Sequence, residues 1–294
     1  MKNKNWVAWG ILAILSLIWG SSFILIKKGL VVYSAGEVGA LRILSAALFL
    51  APLAIRKLKT LSWPQLRLLF GIGLLGSFIP AFLFATGQTR LDSGITGVLN
   101  GLTPIWVLII GAVFYKQKVT RYQVVGLLLA FVGTFVLLTA GSGGDLSSIN
   151  FYALFIVLAT ICYGANLNII KFHLAGINAV VITSVSILLV GPMALIYLLT
   201  ASEVTTKLNE VPGAWAALGY ISLLGVMSTS IALIMFNHLV KLTTPIFTST
   251  VTYFIPIVAL AWGLLDGEVL ILGQVIGILA IIIGVFVTNR KKAK

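Results

Sequence analysis

Charge is scarce in this sequence. Only 9% of its 294 residues are Asp, Glu, Lys or Arg, where a soluble domain carries about a quarter. Acids are scarcer still, seven against twenty Lys and Arg. With 60% hydrophobic residues, one or two water-soluble cores could not hide the apolar surface, so lipid must solvate most of the chain. The single cysteine, Cys162, excludes an internal disulfide and argues against a cysteine-based metal site. Two histidines and seven scattered acids supply no metal-ligand set and no acid–base pair. HExxH, G-x-S-x-G and a nucleotide-binding loop are all absent, which argues against an intramembrane enzyme and a self-contained ATP-driven pump. No enzyme activity, metal or cofactor is therefore expected. No N-x-S/T acceptor and no lipidation motif occurs.

What the chain has is long apolar runs. About 20 apolar residues cross the ~30 Å hydrocarbon layer as a helix. Barrel strands would alternate over roughly ten residues, and these runs do not alternate. Helices are expected at 6–26, 36–55, 66–87, 93–115, 121–139, 151–170, 178–200, 213–236, 243–264 and 270–288. The run Trp6–Ile26 is longer than a signal-peptide core and no A-x-A-type site follows it, so it reads as a retained span. The expected fold is all-α integral membrane, with ten transmembrane helices.

Lys and Arg concentrate in cytoplasmic loops. With the N-terminus inside, the inside segments hold fifteen basic residues: Lys2, Lys4, Arg56, Lys57, Lys59, Arg67, Lys116, Lys118, Arg121, Lys171, Lys241, Arg290, Lys291, Lys292 and Lys294. The outside holds four, Lys27, Lys28, Arg90 and Lys207, and all seven acids fall at outside ends or loops. Both termini are thus expected in the cytoplasm of a cell with a bacterial-type inner (plasma) membrane. The net charge of +13 anchors topology and meets anionic lipid; a nucleic-acid partner is unnecessary.

The chain repeats itself. At a shift of 144, Trp19-Gly20 falls on Tyr163-Gly164 and Lys27 on Lys171. At 152, Pro104-Ile105 falls on Pro256-Ile257 and Gly111 on Gly263; one residue less brings Gln123, Gly126, Gly133, Phe135 and Val136 onto Gln274, Gly277, Gly284, Phe286 and Val287. The repeats are read as residues 1–140 and 149–290, with a basic tail at 291–294. Five spans per half force the second half to enter from the opposite side. Inverted repeats of this kind recur in secondary transporters, with the site near the midplane.

Five segments carry a resemblance: I-W-G-S-S-F at Ile18–Phe23, A-L-R-I-L-S-A-A at Ala40–Ala47, L-T-P-I at Leu102–Ile105, I-P-I at Ile255–Ile257, and D-G-E-x-L-x-x-x-Q-x-x-G at Asp266–Gly277. With these the chain resembles the ten-helix EamA family of the drug/metabolite transporter superfamily over essentially its whole length. The resemblance implies export or exchange of amino acids or related metabolites. It also implies that helices 1–4 and 6–9 surround the pathway, with helices 5 and 10 peripheral. One position departs from the pattern: Glu268, before the last helix, falls on Gln117 in the first half.

Matched polar stripes are the candidate substrate site. Ser16, Trp19 and Ser22 lie three apart in the first helix, and Thr160, Tyr163 and Asn166 match them in the sixth. Thr96, Asn100 and Thr103 lie in the fourth helix, with Thr248 and Thr252 in the ninth. Polar side chains are costly against lipid, so the stripes should face the interior. They could bind an ammonium and a carboxylate, with Trp19 and Tyr163 as walls; alternatively, the hydroxyls bond their own helix backbone. Arg42, the one basic residue within a span, could meet a substrate carboxylate, pair with an outside acid or cap carbonyls. Lys27 and Lys171 read as interfacial anchors or gates. Pro104 and Pro256 are candidate hinges.

The expected function is secondary transport of small metabolites, by alternating access between the repeats. A passive channel, or a carrier of drugs, nucleosides or sugars, is the alternative. The expected partners are a small-molecule substrate and the lipid bilayer. Protons are a candidate coupling ion, although no acid is placed near the midplane. Monomer and homodimer are both open.

Overall fold

A computed structural model describes residues 2–141, 150–174, 176–242 and 251–289. Among these residues eight helices are long and apolar enough to cross a membrane: α1 Trp6–Leu30, α2 Ala35–Leu58, α3 Trp63–Gly87, α4 Ser93–Tyr115, α5 Arg121–Ala140, α6 Ala153–His173, α7 Ala179–Thr200 and α8 Ala214–Phe236. Two more apolar helices are shorter as described, α9 Val251–Leu265 and α10 Leu272–Asn289. The short helix Val204–Glu210 precedes α8. The described residues are therefore those of an all-helical, multi-pass membrane protein, with eight of the expected helices long enough to span and the last two described over shorter lengths. The loop at 142–149 and the start of the ninth expected helix, 243–250, lie outside the described residues.

Short polar signals start the helices. Ser34 and Glu37 form a capping box at α2: the Ser34 amide donates to the Glu37 carboxylate (2.7 Å), and the Glu37 amide to the Ser34 hydroxyl (3.3 Å). The repeated glutamines have the same use. Gln123 accepts from the Thr120 amide (2.8 Å) at α5, and Gln274 from the Ile271 amide (3.1 Å) at α10. Each satisfies an N–H that lipid could not.

Several spans are broken part-way. α1 is interrupted at Ser21, α4 between Asn100 and Thr103, and α3 and α8 carry π-helical turns at Leu74–Phe78 and Leu224–Ile231. Such turns cluster at functional sites. In an apolar medium the freed carbonyls need donors. Pro104 has no N–H to give the Asn100 carbonyl, and the Thr103 hydroxyl supplies one instead (2.9 Å). Pro256, in contrast, lies inside the unbroken α9. The two matched prolines thus sit in different backbones.

Small residues set the closest crossings. A methyl on Gly277 would lie 2.6 Å from the Leu137 amide and 2.8 Å from the Gly133 carbonyl, and one on Gly284 2.7 Å from the Gly126 carbonyl. α5 and α10 therefore pack backbone to backbone within one chain. A methyl on Gly20 would lie 2.5 Å from Val258 on α9, and one on Gly164 2.7 Å from Trp106 on α4. These two contacts correspond residue for residue at the shifts of 144 and 152.

Candidate substrate site

The polar side chains gather at three levels. At one end of the bundle, the last turn of α1 presents Lys27 and Lys28 to the α9–α10 loop. Lys27 is 2.8 Å from both Asp266 and Glu268, and Lys28 also pairs with Asp266. The Glu268 carboxylate continues into the bundle and accepts from the Ser93 hydroxyl (2.7 Å), the Ser93 amide (2.8 Å) and the Gly94 amide (2.9 Å). It caps α4 where unpaired amides and the helix dipole favour an anion. Its side chain is 5% exposed. Burial pushes this carboxyl up, but Lys27, the Ser93 hydroxyl and the two amides outweigh that and hold it below its ordinary value. Asp92 next door moves the other way, raised by burial and by the Glu268 charge. Beside this latch, Glu37 is tied by Lys207 (2.6 Å) and the Glu203 amide (2.9 Å).

The opposite end carries the matching contact without the charge. Lys171 of α6 donates to the Gln117 carbonyl (3.0 Å), and the Gln117 amide donates to Asn168 (3.1 Å). Lys171 corresponds to Lys27 and Gln117 to Glu268. An ion pair at one end thus faces a lysine–amide hydrogen bond at the other.

Between the ends lies a polar centre built from both halves. The Arg42 guanidinium of α2 donates to the Thr229 hydroxyl (3.2 Å) in the π turn of α8, and interacts with the Tyr163 hydroxyl of α6. Tyr163 stacks on Phe84 with ring centres 5.9 Å apart. The Trp19 indole donates to the Ser228 carbonyl (3.0 Å) and packs on Phe236 at 5.4 Å. The Ser22 and Ser228 hydroxyls meet at 2.7 Å. At the matched position, Asn166 lies against Gly76 in the π turn of α3; a methyl there would be 2.6 Å from its amide nitrogen. Glycine offers no side-chain partner, and the buried Asn166 oxygen has none.

Of the expected set, the structure links Trp19 and Ser22 through Ser228, and Arg42 to Tyr163 beside Thr229, with Asn166 one turn along α6 from Tyr163. It turns others onto their own helices. Ser16 donates to the Leu12 carbonyl (2.8 Å), Thr96 to Asp92 (2.9 Å), Thr160 to Val157 (2.7 Å) and Thr103 to Asn100. Asn100 itself is half-buried beside the α4 break. Thr248 and the Thr252 side chain lie outside the described residues. Ser228 and Thr229 are additions that the repeat comparison overlooked. Their signal is Ser-Thr-Ser at Ser228–Ser230, a polar triplet inside an apolar run.

The sequence and the fold have counterparts among known proteins. The EamA-like transporter family matches residues 5–139 and again 150–290. The chain belongs to the EamA-like transporter family. An uncharacterized transporter of Archaeoglobus fulgidus is 27% identical over 291 residues, covering 98% of this chain and all of that one. The uncharacterized inner membrane transporter YedA of Escherichia coli K12 is 27% identical over 272 residues, 89% of this chain and 83% of its own. A probable amino-acid metabolite efflux pump of Salmonella typhimurium is 31% identical over 138 residues, 46% of this chain and 44% of its own. A solved crystal structure of 16% identity superposes with a TM-score of 0.63 over 95% of both chains, which places the fold alongside it.

Proposed function

We propose that this EamA-family protein is a secondary transporter that exports or exchanges amino acids or related small metabolites. In this reading ten spans form two inverted five-helix repeats in an inner (plasma) membrane, with both termini in the cytoplasm. The repeats alternate the access of one central site, with Pro104 and Pro256 as hinges. The observation that carries the reading is the polar centre, where α1 and α2 of the first half meet α6 and α8 of the second around Arg42, Tyr163, Thr229, Trp19 and Ser22. The Salmonella relative's name supports the substrate class.

Contacts that recur in both halves support the two-state mechanism. Gly20–Val258, Ser22–Ser228 and Lys27–Glu268 follow one another along α1; Gly164–Trp106, Asn166–Gly76 and Lys171–Gln117 follow at the matched positions of α6. Two near-equivalent halves can exchange conformations to give inward-open and outward-open states of similar energy.

Purified protein in liposomes, loaded with amino acids and related metabolites, tests the function. Saturable release stimulated by solute on the far side is expected; linear, unsaturable flux would favour a channel. A pH gradient applied in the same assay tests proton coupling. Trp19→Phe keeps an aromatic but smaller ring and removes the donor to Ser228, and Asn100→Leu removes a polar group at the α4 break. Each is expected to slow exchange roughly tenfold, equivalent to about one hydrogen bond in the working cycle, with an unchanged size-exclusion profile. Wild-type kinetics in both variants would remove these residues from the pathway. Impermeant labelling of tagged termini tests orientation, and a terminus labelled only from outside would contradict it.

A further inference from the structure

Arg42 is a cation without an anion. Among the described residues no carboxylate lies within ion-pair distance of it. Glu37, the acid on its own helix, is fully engaged by Lys207 and by the Ser34 and Glu203 amides. Arg42 therefore does not pair with an acid at the helix end. Its recorded partners are two neutral hydroxyls, those of Thr229 and Tyr163. A lone cation within a span is expensive to keep, and intramembrane cations take partners. A guanidinium is the side chain best matched to a carboxylate, which it can grip with two N–H groups.

The buried side-chain oxygen of Asn166 is unpaired. Asn166 lies three residues after Tyr163 on α6, on the same face and one turn away. In the corresponding contact of the first half, Ser22 finds Ser228. Here the partner position is Gly76, so a buried acceptor remains open. The repeat is broken where a solute would need a polar hold.

We propose that the central site binds its solute as an organic carboxylate, with the carboxylate on Arg42 and an adjacent N–H or ammonium group of the solute on the Asn166 oxygen. The Trp19–Phe236 and Tyr163–Phe84 pairs flank these groups and wall an apolar remainder. The proposal deepens the transporter reading and rests on it. It also separates substrate classes. A lipophilic cation lacking a carboxylate would be repelled by Arg42 and finds no acid there.

The test is calorimetric binding to the full chain in lipid nanodiscs. The probes are leucine, threonine and phenylalanine, each compared with its carboxamide and with its des-amino acid. At least one amino acid is expected to bind, with its carboxamide tenfold or more weaker. Arg42→Gln is expected to weaken the amino acid about 10–100-fold, the usual effect of losing a hydrogen bond to a charged group. Arg42→Lys, which keeps the cation in case the glutamine variant misfolds, is expected to retain part of the affinity. Asn166→Leu is expected to weaken the amino acid while leaving the des-amino acid unchanged. Equal binding of acid and carboxamide, or undiminished affinity in a folded Arg42→Gln, overturns the proposal. So does a wild type that binds none of the acids yet exchanges a solute lacking a carboxylate, which leaves the transporter reading standing. A wild type that neither binds nor exchanges any solute overturns both.

Discussion

Glu268→Gln is expected to open the Lys27 end of the bundle. The carboxylate joins three elements at once: Lys27 at the end of α1, Ser93 and Gly94 at the start of α4, and its own α9–α10 loop. A glutamine presents one carbonyl oxygen to these donors in place of two anionic ones. It leaves Lys27 paired with Asp266 alone and replaces the Glu268 contact by a lysine–amide hydrogen bond like that of Lys171 and Gln117. Lys27 is 32% exposed, so water screens part of its attraction. The amide contacts are better shielded. Losing one charge-assisted hydrogen bond, worth about 1.5–3 kcal/mol, shifts a two-state balance roughly 10–100-fold. The readout is thiol labelling of Ile26→Cys, a fully buried position one residue before Lys27, in a Cys162→Ser background. Labelling from the Lys27 end should rise tenfold or more. An unchanged rate would mean that the ion pair does not hold this end closed. The converse, Gln117→Glu, should slow labelling of a reporter at the Lys171 end.

The latch should also have a defined pH response. Its carboxylate is held below the ordinary value when the end is closed. Closure therefore gains from ionisation above the open-state value, about 4.3 for a free glutamate. That gain is lost as pH falls through the lower, closed-state value. Labelling of the reporter should be flat from pH 6 to 8 and rise only in acid below about pH 4.3. Asp92, raised in the closed form, acts with the opposite sign and tends to flatten the acid limb. A steep response near neutrality would show that a different group controls this end.

Gly277→Leu is expected to destroy the α5–α10 seam. The new side chain would meet backbone atoms, the Leu137 amide and the Gly133 carbonyl, which cannot rotate aside. Overpacking a core costs about 1–3 kcal/mol per added group even where side chains can yield; here two helices must separate, and small residues drive such contacts in lipid. Loss of a monodisperse species in detergent is the expected result. Gly10→Leu is the control, since nothing lies within 4 Å of that position. Equal stability of the two variants would show that the seam is not close-packed in the working protein.

The apolar spans and the matched glycines and glutamines of the two halves were legible from residue order alone, because each depends on local rules. A span needs a continuous apolar run, a helix start needs a nearby acceptor, and a repeat reveals itself by matched spacing. Choosing among the polar residues was not local. Ser16, Thr96, Thr160 and Ser22 have the same chemistry, yet the first three are recorded bonding only their own backbone, while Ser22 also reaches Ser228. Helical spacing gives the face a side chain occupies but not the neighbour that face meets. The π turn in α8 adds to this, since it changes the register that delivers Ser228 and Thr229 to Trp19, Ser22 and Arg42. Lys27 and Glu268 are 241 residues apart, and only packing brings them together. Sequence by itself thus determined that this is a repeated, helical, membrane-embedded transporter-like chain. Tertiary structure decided which of its few polar groups are spent on the backbone, which pair across the halves, and which, the Asn166 oxygen among them, stay buried without a partner.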